Sequence, residues 1–104
     1  MEFINKIEVQ GYVGSPSFNV IVGKKVVRFP IATKYAHMLG NIQVIDTDWF
    51  SCIAFEGEGV DFSAIQAGNA VNVVGRVVEK RYMDSDGNEN RYFEVICQSV
   101  KLAE

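Results

Sequence analysis

Hydrophobic and polar positions along this chain alternate with a period near two far more often than they follow a helical repeat. The opening segment FINKIEVQGYVG carries Ile4, Ile7, Val9, Tyr12 and Val13 in loose alternation, interrupted by Gly11 and Gly14 as bends or bulges do. It predicts one long, bent strand, ended by the turn signal Ser15-Pro16-Ser17. FNVIVGKKVVRFPIAT predicts two strands about a tight turn at Gly23-Lys24, with Gly23 at the first central position of a type II′ turn. In the second of these strands Val27, Phe29, Ile31 and Thr33 share one face, and Arg28, Pro30, Ala32 and Lys34 share the other. Pro30 has no N–H to donate, so that side of it is expected to meet an edge or a bulge.

KYAHMLGNIQVID (34–46) has no clean period and reads as a long loop or a flexible hairpin. TDWFSCIAFEG is a strand with aromatics on both faces. Phe50, Cys52 and Ala54 face one way, and Trp49, Ser51, Ile53 and Phe55 face the other. A strand on the skin of a domain ordinarily turns a polar face to water, so the second aromatic face asks for a partner. GVDFSAIQAGN reads as a short helix, capped by Asp61 or Ser63 and closed by Gly68. In NAVNVVGRVVEKRYMD, Val71, Val73, Gly75, Val77 and Glu79 oppose Asn72, Val74, Arg76, Val78, Lys80 and Tyr82. DSDGNEN is a hairpin loop with Asp86-Gly87 at its tip, and RYFEVICQSVKL is the last strand. The pattern predicts an all-β fold, a five-stranded Greek-key OB-fold barrel with one short helix between strands 3 and 4.

With 104 residues the chain is expected to form a single domain spanning 1–104. Hydrophobic residues make up 48% and charged residues 22%, which places it among globular rather than disordered chains. The longest uncharged run is too short to span a bilayer, and MEFINKIEVQ lacks the basic and apolar regions of a signal peptide. A cytoplasmic protein without a membrane partner is the resulting expectation. The formal net charge of −3 argues against a strongly basic nucleic-acid binder and shifts the question to where Lys and Arg are placed.

Catalytic chemistry is sparsely represented. Cys52 and Cys97 have no Cys or His at metal-ligand spacing and read as buried thiols, so no metal is expected. His37 is the only histidine and stands in no motif. Gly57 and Gly59 lack a third glycine and the long helix of a dinucleotide site. DSDGNE resembles the start of a calcium loop but has no flanking helices, so the hairpin reading prevails. No catalytic residue and no cofactor is expected. What the sequence does hold is aromatics interleaved with cations: Trp49 and Phe55 on one strand face, Lys34 beside Tyr35, then Arg76, Lys80, Arg81 and Tyr82, and Arg91 beside Tyr92. Single-stranded nucleic acid needs that mixture, because its bases stack on aromatic rings while Lys and Arg meet its phosphates.

These segments resemble the bacterial single-stranded DNA-binding proteins over about Asn5 to Leu102. NKIEVQGYVG is similar to the family's opening strand, and VVRFPIAT to its A-R-F-x-h-A-T segment. TDWFSCIAFEG is similar to T-E-W-h-x-h-h-h-F-G, AGNAVNVVGRV to K-G-x-x-V-x-V-x-G-x-h, and DSDGNENRYFEVI to D-x-x-G-x-x-R-Y-x-x-E-V. The resemblance implies an OB-fold, homo-oligomers (usually tetramers), and sequence-tolerant binding of single-stranded DNA in DNA replication, repair or recombination, without catalysis. It places a base-stacking role at Trp49 and at Phe55, and a third at Tyr82. A further stacking position falls at His37, or at Tyr35 if the loop shifts. Arg28, Lys34, Arg76, Lys80, Arg81 and Arg91 are the cations expected to contact DNA beside these rings.

Departures from the family pattern bear on partners. The chain ends at Glu104, straight after the last strand, so the family's flexible linker and acidic tip, which recruit replication or repair proteins, are expected to be absent. Phe50 stands where the family commonly has a polar residue near its subunit contacts, which leaves homotetramer and homodimer both open. A cytoplasmic, nucleoid-associated location follows from the resemblance. Two alternatives remain at this stage: an accessory protein of helicase loading similar to primosomal replication protein N, and an OB-fold module that binds only protein through its aromatic face.

Overall fold

A computed structural model describes residues 1–103, and Glu104, the last residue of the expected domain, lies outside them. Six strands, β1 (Ile7–Val13), β2 (Ser17–Ile21), β3 (Lys24–Leu39), β4 (Ile42–Phe55), β5 (Ala70–Met83) and β6 (Glu89–Leu102), are joined in the order β1-β5-β6-β4-β3-β2. β1 pairs with β5 from Ile7 to Tyr12 and also meets β3 through Tyr12↔Ala32 and Val13↔Ile31. That second pairing closes β1, β5, β6, β4 and β3 into a barrel, with β2 added outside as a hairpin partner of β3. The parallel pairing of β4 with β6, Cys52↔Val95 and Ile53↔Ile96, completes the Greek-key OB-fold.

Closure depends on one residue without a side chain. Gly11 sits where β1 leaves β5 for β3, and a Cβ there would collide with the Ala32 carbonyl oxygen. Asn5 lengthens the other end of the β1–β5 ladder, donating from Nδ2 to the Val77 carbonyl (2.7 Å) and accepting the Val77 N–H on Oδ1 (3.0 Å). The alternating inward positions fill the barrel: Val9, Val13, Val27, Phe29, Ile31, Cys52, Ala54, Val71, Val73, Val95, Cys97 and Val100. Each fully buried Val or Ile among them contributes roughly 1.5–3 kcal/mol. Cys52 and Cys97 are free thiols inside this core. A hydrogen bond that the protonated Cys97 thiol gives to the Cys52 sulfur, and then burial, push the Cys97 thiol far above its ordinary range, so it stays protonated.

Pro30 occupies β3 without costing a ladder bond. Its carbonyl accepts from Gly14 N–H at 2.8 Å, so its nitrogen, on the same side of the strand, points at the gap between β1 and β2.

Two expectations are revised, and one left open is decided. The short helix is a single 3₁₀ turn, Phe62–Ala64, because side chains satisfy the backbone groups a helix would use. Asp61 accepts from Ser63 N–H, Gln66 donates to the Ser63 carbonyl, and Asn69 donates to the Ala64 carbonyl. The first hairpin turns at Val22-Gly23, with Ile21 paired to Lys24, rather than at Gly23-Lys24. Both central residues have positive φ (50° and 77°), a type I′ geometry that matches strand twist better. Finally, of the two readings of 34–46 the hairpin holds and the loop does not: β3 and β4 stay paired out to Leu39↔Ile42 and form a two-stranded arm. Its period is unreadable because beyond Lys34 and Thr47 both faces of the arm are largely in water.

Candidate nucleic-acid interface

The register sorts the side chains into a barrel-facing set and an outer set. On the outer face of β3 and β4 lie Arg28, Pro30, Ala32 and Lys34, opposite Ile53, Ser51, Trp49 and Thr47 in turn. Trp49 and Phe55 are 62% and 39% exposed, whereas Phe50 packs against the core. Ile53 lies between the two exposed rings on the same face yet is buried, flanked by Arg28 on β3 and Ile96 on β6. The outer face of β5 and β6 carries Arg76, Lys80 and Tyr82, opposite Ile96, Tyr92 and Asn90. Tyr82 and Tyr92 meet edge to face with centroids 6.0 Å apart, and both remain about half exposed.

Seven of the eleven expected contact residues therefore share the outer face: Arg28, Lys34, Trp49, Phe55, Arg76, Lys80 and Tyr82. The other four, Tyr35, His37, Arg81 and Arg91, sit on the opposite pleat, in the arms rather than over the core. There Tyr35 and His37 stack at 5.7 Å and 26°, and His37 Nε2 lies 2.7 Å from Asp46 Oδ2. Tyr35 and His37 are thus built together, and both expected placements of the stacking position occupy one spot on the β3–β4 arm.

The cations differ in how much charge they have to offer. Arg28 Nε donates to Glu94 Oε2 at 3.3 Å. Arg81 lies 2.9 Å from Glu79 and 3.7 Å from Glu89, and Arg91 approaches Glu79 at 3.9 Å. Among the described residues Lys34, Arg76 and Lys80 have no carboxylate within 4.0 Å, and Lys34 donates instead to Thr47 Oγ1. Lys34 and Lys80 stand beside exposed rings on the outer face, and Arg76 shares that face opposite Ile96. A chain of net charge −3 thus keeps free positive charge on the surface that carries Trp49 and Tyr82.

A groove of about 310 Å³ runs across β3, β4 and β6 between these platforms, lined by Arg28, Pro30, Ser51, Tyr92 and Glu94 among others. The sequence marks Tyr92 only as a member of the aromatic–cation mixture beside Arg91, and it does not mark Glu94 at all. Tyr92 faces Lys80 across the ladder, which only the β5–β6 register reveals. Glu94 is buried, and an acidic residue in a strand gives no sign of that beforehand.

The hairpin loop between β5 and β6 is ordered by one carboxylate. Asp84 accepts from the N–H groups of Asp86 (3.0 Å) and Asn88 (2.9 Å) and from Asn90 Nδ2 (2.9 Å). These bonds occupy the oxygens a cation would need, in keeping with the hairpin reading of DSDGNEN.

The model of the single-strand binding protein family matches residues 4–103. Among solved structures the chain is similar to the Plasmodium falciparum SSB in complex with ssDNA. The TM-score is 0.83 at 21% identity, over 100% of this chain and 98% of that one. It is also similar to a small single-stranded DNA-binding protein from Streptomyces coelicolor, with a TM-score of 0.73 at 19% identity, over 99% of this chain and 96% of that one. At such identities these two likenesses concern the fold. No curated protein matches the chain in sequence.

Proposed function

The chain belongs to the single-strand binding protein family, and on that premise we propose that it binds single-stranded DNA by stacking bases on Trp49, Phe55 and Tyr82. The observation that carries this reading is the outer face itself, where exposed rings share the surface with Lys34, Arg76 and Lys80, cations without a carboxylate partner among the described residues. Stacking on each ring is worth ~1–3 kcal/mol and is indifferent to base identity, because every base has a flat face. The cations supply the salt-dependent part of the affinity. Arg28, Arg81 and Arg91 reach phosphate only by sharing or leaving their carboxylate partners. Tyr35 and His37 extend the path along the β3–β4 arm. The reading is supported by the likeness in fold to the Plasmodium falciparum SSB, which was solved in complex with ssDNA.

The biological setting is that of the family: handling of single strands in replication, repair or recombination, in the cytoplasm at the nucleoid. Among the described residues no helix is long and apolar enough to cross a membrane. We also infer self-association, as homodimer or homotetramer. Its support is the edge of β1 from Ile7 to Gly11, which pairs with β5 on one side only, since β3 takes up just Tyr12 and Val13. Light scattering distinguishes the two states.

Titration with oligo(dT), followed by Trp49 fluorescence, tests the binding reading. Quenching that weakens with salt, with a slope of about −0.7 per phosphate neutralised, is the expected result. A folded protein whose Trp49 emission ignores oligo(dT) at low salt leaves the protein-only module standing instead.

A further inference from the structure

Stacking and phosphate contact leave Glu94 unexplained. This residue belongs to the outer face of β6 but is only 4% exposed. Oε2 accepts from Arg28 Nε at 3.3 Å, while Oε1 is buried with no hydrogen-bond partner among the described residues. An acceptor of this kind, out of water and unpaired, is costly, so a donor from outside would be bound strongly. The opening beside it is the 310 Å³ groove, walled by Arg28, Pro30, Ser51 and Tyr92. Ser51 lies two residues along β4 from Trp49, and Tyr92 packs on Tyr82, so the groove lies where a strand crossing the stacking rings would pass.

The groove therefore presents one buried anionic acceptor, Glu94 Oε1, next to the Arg28 guanidinium, whose Nη groups remain donors. The hydrogen-bonding edge of cytosine has the complementary order, an amino group beside ring and carbonyl acceptors. Adenine and guanine also offer an exocyclic amino donor. Uracil and thymine offer a carbonyl oxygen where cytosine has its amino group, and flank their single N–H with two carbonyls that repel a carboxylate.

We propose that Glu94 is a specificity-determining residue whose free oxygen accepts a hydrogen bond from the exocyclic amino group of one base seated in this groove. Amino-bearing bases are then preferred over thymine or uracil at that one position of the bound strand. The proposal rests on the single-strand binding reading above. It adds to that reading a place where binding ceases to be sequence-tolerant.

Oligo(dC) and oligo(dU) of equal length, compared at one salt concentration and mildly alkaline pH, provide the test. They stack similarly and differ at the edge that Glu94 reads. The wild-type protein is expected to bind oligo(dC) about tenfold more tightly, the effect of one hydrogen bond to a charged group. In Glu94→Gln the amide oxygen turns to Arg28 and the amino group fills the groove, so the ratio falls to about one or inverts. Equal wild-type affinities overturn the proposal while leaving single-strand binding intact, and this comparison needs no variant to fold. A tenfold ratio that survives in folded Glu94→Gln also overturns it. Failure to bind either oligomer overturns the binding reading, and this proposal with it.

Discussion

Gly14 lies directly against the indole of Trp49. A methyl group at Gly14 would stand 3.3 Å from Trp49 Cζ3 and 2.6 Å from Pro30 Cγ, so the absent side chain leaves the space in which the ring rests. Gly14→Ala must push Pro30 and Trp49 aside. The 2.6 Å contact forces the Pro30 ring or the backbone that carries it to shift, and Trp49 must give by a few tenths of an ångström as well. The expected outcome is a loss of about 1–3 kcal/mol in stability from overpacking, together with weaker binding and a shifted Trp49 emission spectrum. Urea denaturation and fluorescence titration of the same variant check both effects.

Trp49→Ala separates binding from folding. The ring is mostly in water and outside the core cluster, so its loss is expected to leave the melting temperature nearly unchanged. Affinity for oligo(dT), followed by anisotropy of a labelled oligomer, should fall by ~1–3 kcal/mol. A variant that melts many degrees lower would mean that the indole supports the barrel and not the ligand.

Val22 predicts a gain. A β-branched residue at φ 50° pays for contact between its Cβ and the backbone, on the order of 1–2 kcal/mol, and the fully exposed side chain recovers nothing by packing. Val22→Asn places at this type I′ position a residue that tolerates it. Stability in urea should rise by about 1 kcal/mol with an unchanged m value, and DNA affinity should stay as it was.

These residues also show how far the sequence could be read. The strands over the core were legible because one face is buried, and burial enforces the period of two that Val27, Phe29 and Ile31 display. The arm from Lys34 to Thr47 was not, because with both faces in water nothing enforces a period. The turn was misplaced by one residue because Gly23 is the obvious residue for positive φ, and Val22 breaks that rule. At the candidate interface, alternation alone separated Trp49 from Phe50. Which cations are neutralised depends on contacts such as Arg28 with Glu94, 66 residues apart in sequence, and no local pattern carries that information.

Asp84 gives the β5–β6 loop a dependence on pH. The bond from Asn90, and then that from the Asn88 N–H, hold its carboxyl below the usual carboxylate range, outweighing the opposing effect of desolvation. A depressed folded value means that the carboxylate's contribution is complete above the unfolded value and fades as pH falls through the folded one. The loop is therefore expected to keep its order at pH values where free aspartate is already half protonated, and to loosen below them. The amide shifts of Asp86 and Asn88, followed by NMR through an acid titration, should move with a midpoint under that of an unperturbed aspartate. A midpoint at the ordinary value would mean that the carboxylate does not hold the loop.

Lys80 and Arg81 are adjacent in β5 but differ in what they can give to DNA. Lys80 shares the outer face with Tyr82 and has no carboxylate partner among the described residues. Arg81 is on the other pleat and lies within 4.0 Å of both Glu79 and Glu89. An exposed ion pair of this sort contributes at most about 1 kcal/mol to stability, but it keeps the guanidinium from displacing counterions on a phosphate. Lys80→Ala should therefore lower the salt slope of oligo(dT) binding by about 0.7, the share of one phosphate. Arg81→Ala should weaken binding only slightly and leave the slope unchanged, because the phosphate count stays the same. Equal slope changes in the two variants would mean that Arg81 leaves its carboxylates when DNA binds, and the arm would then take up DNA on both of its faces.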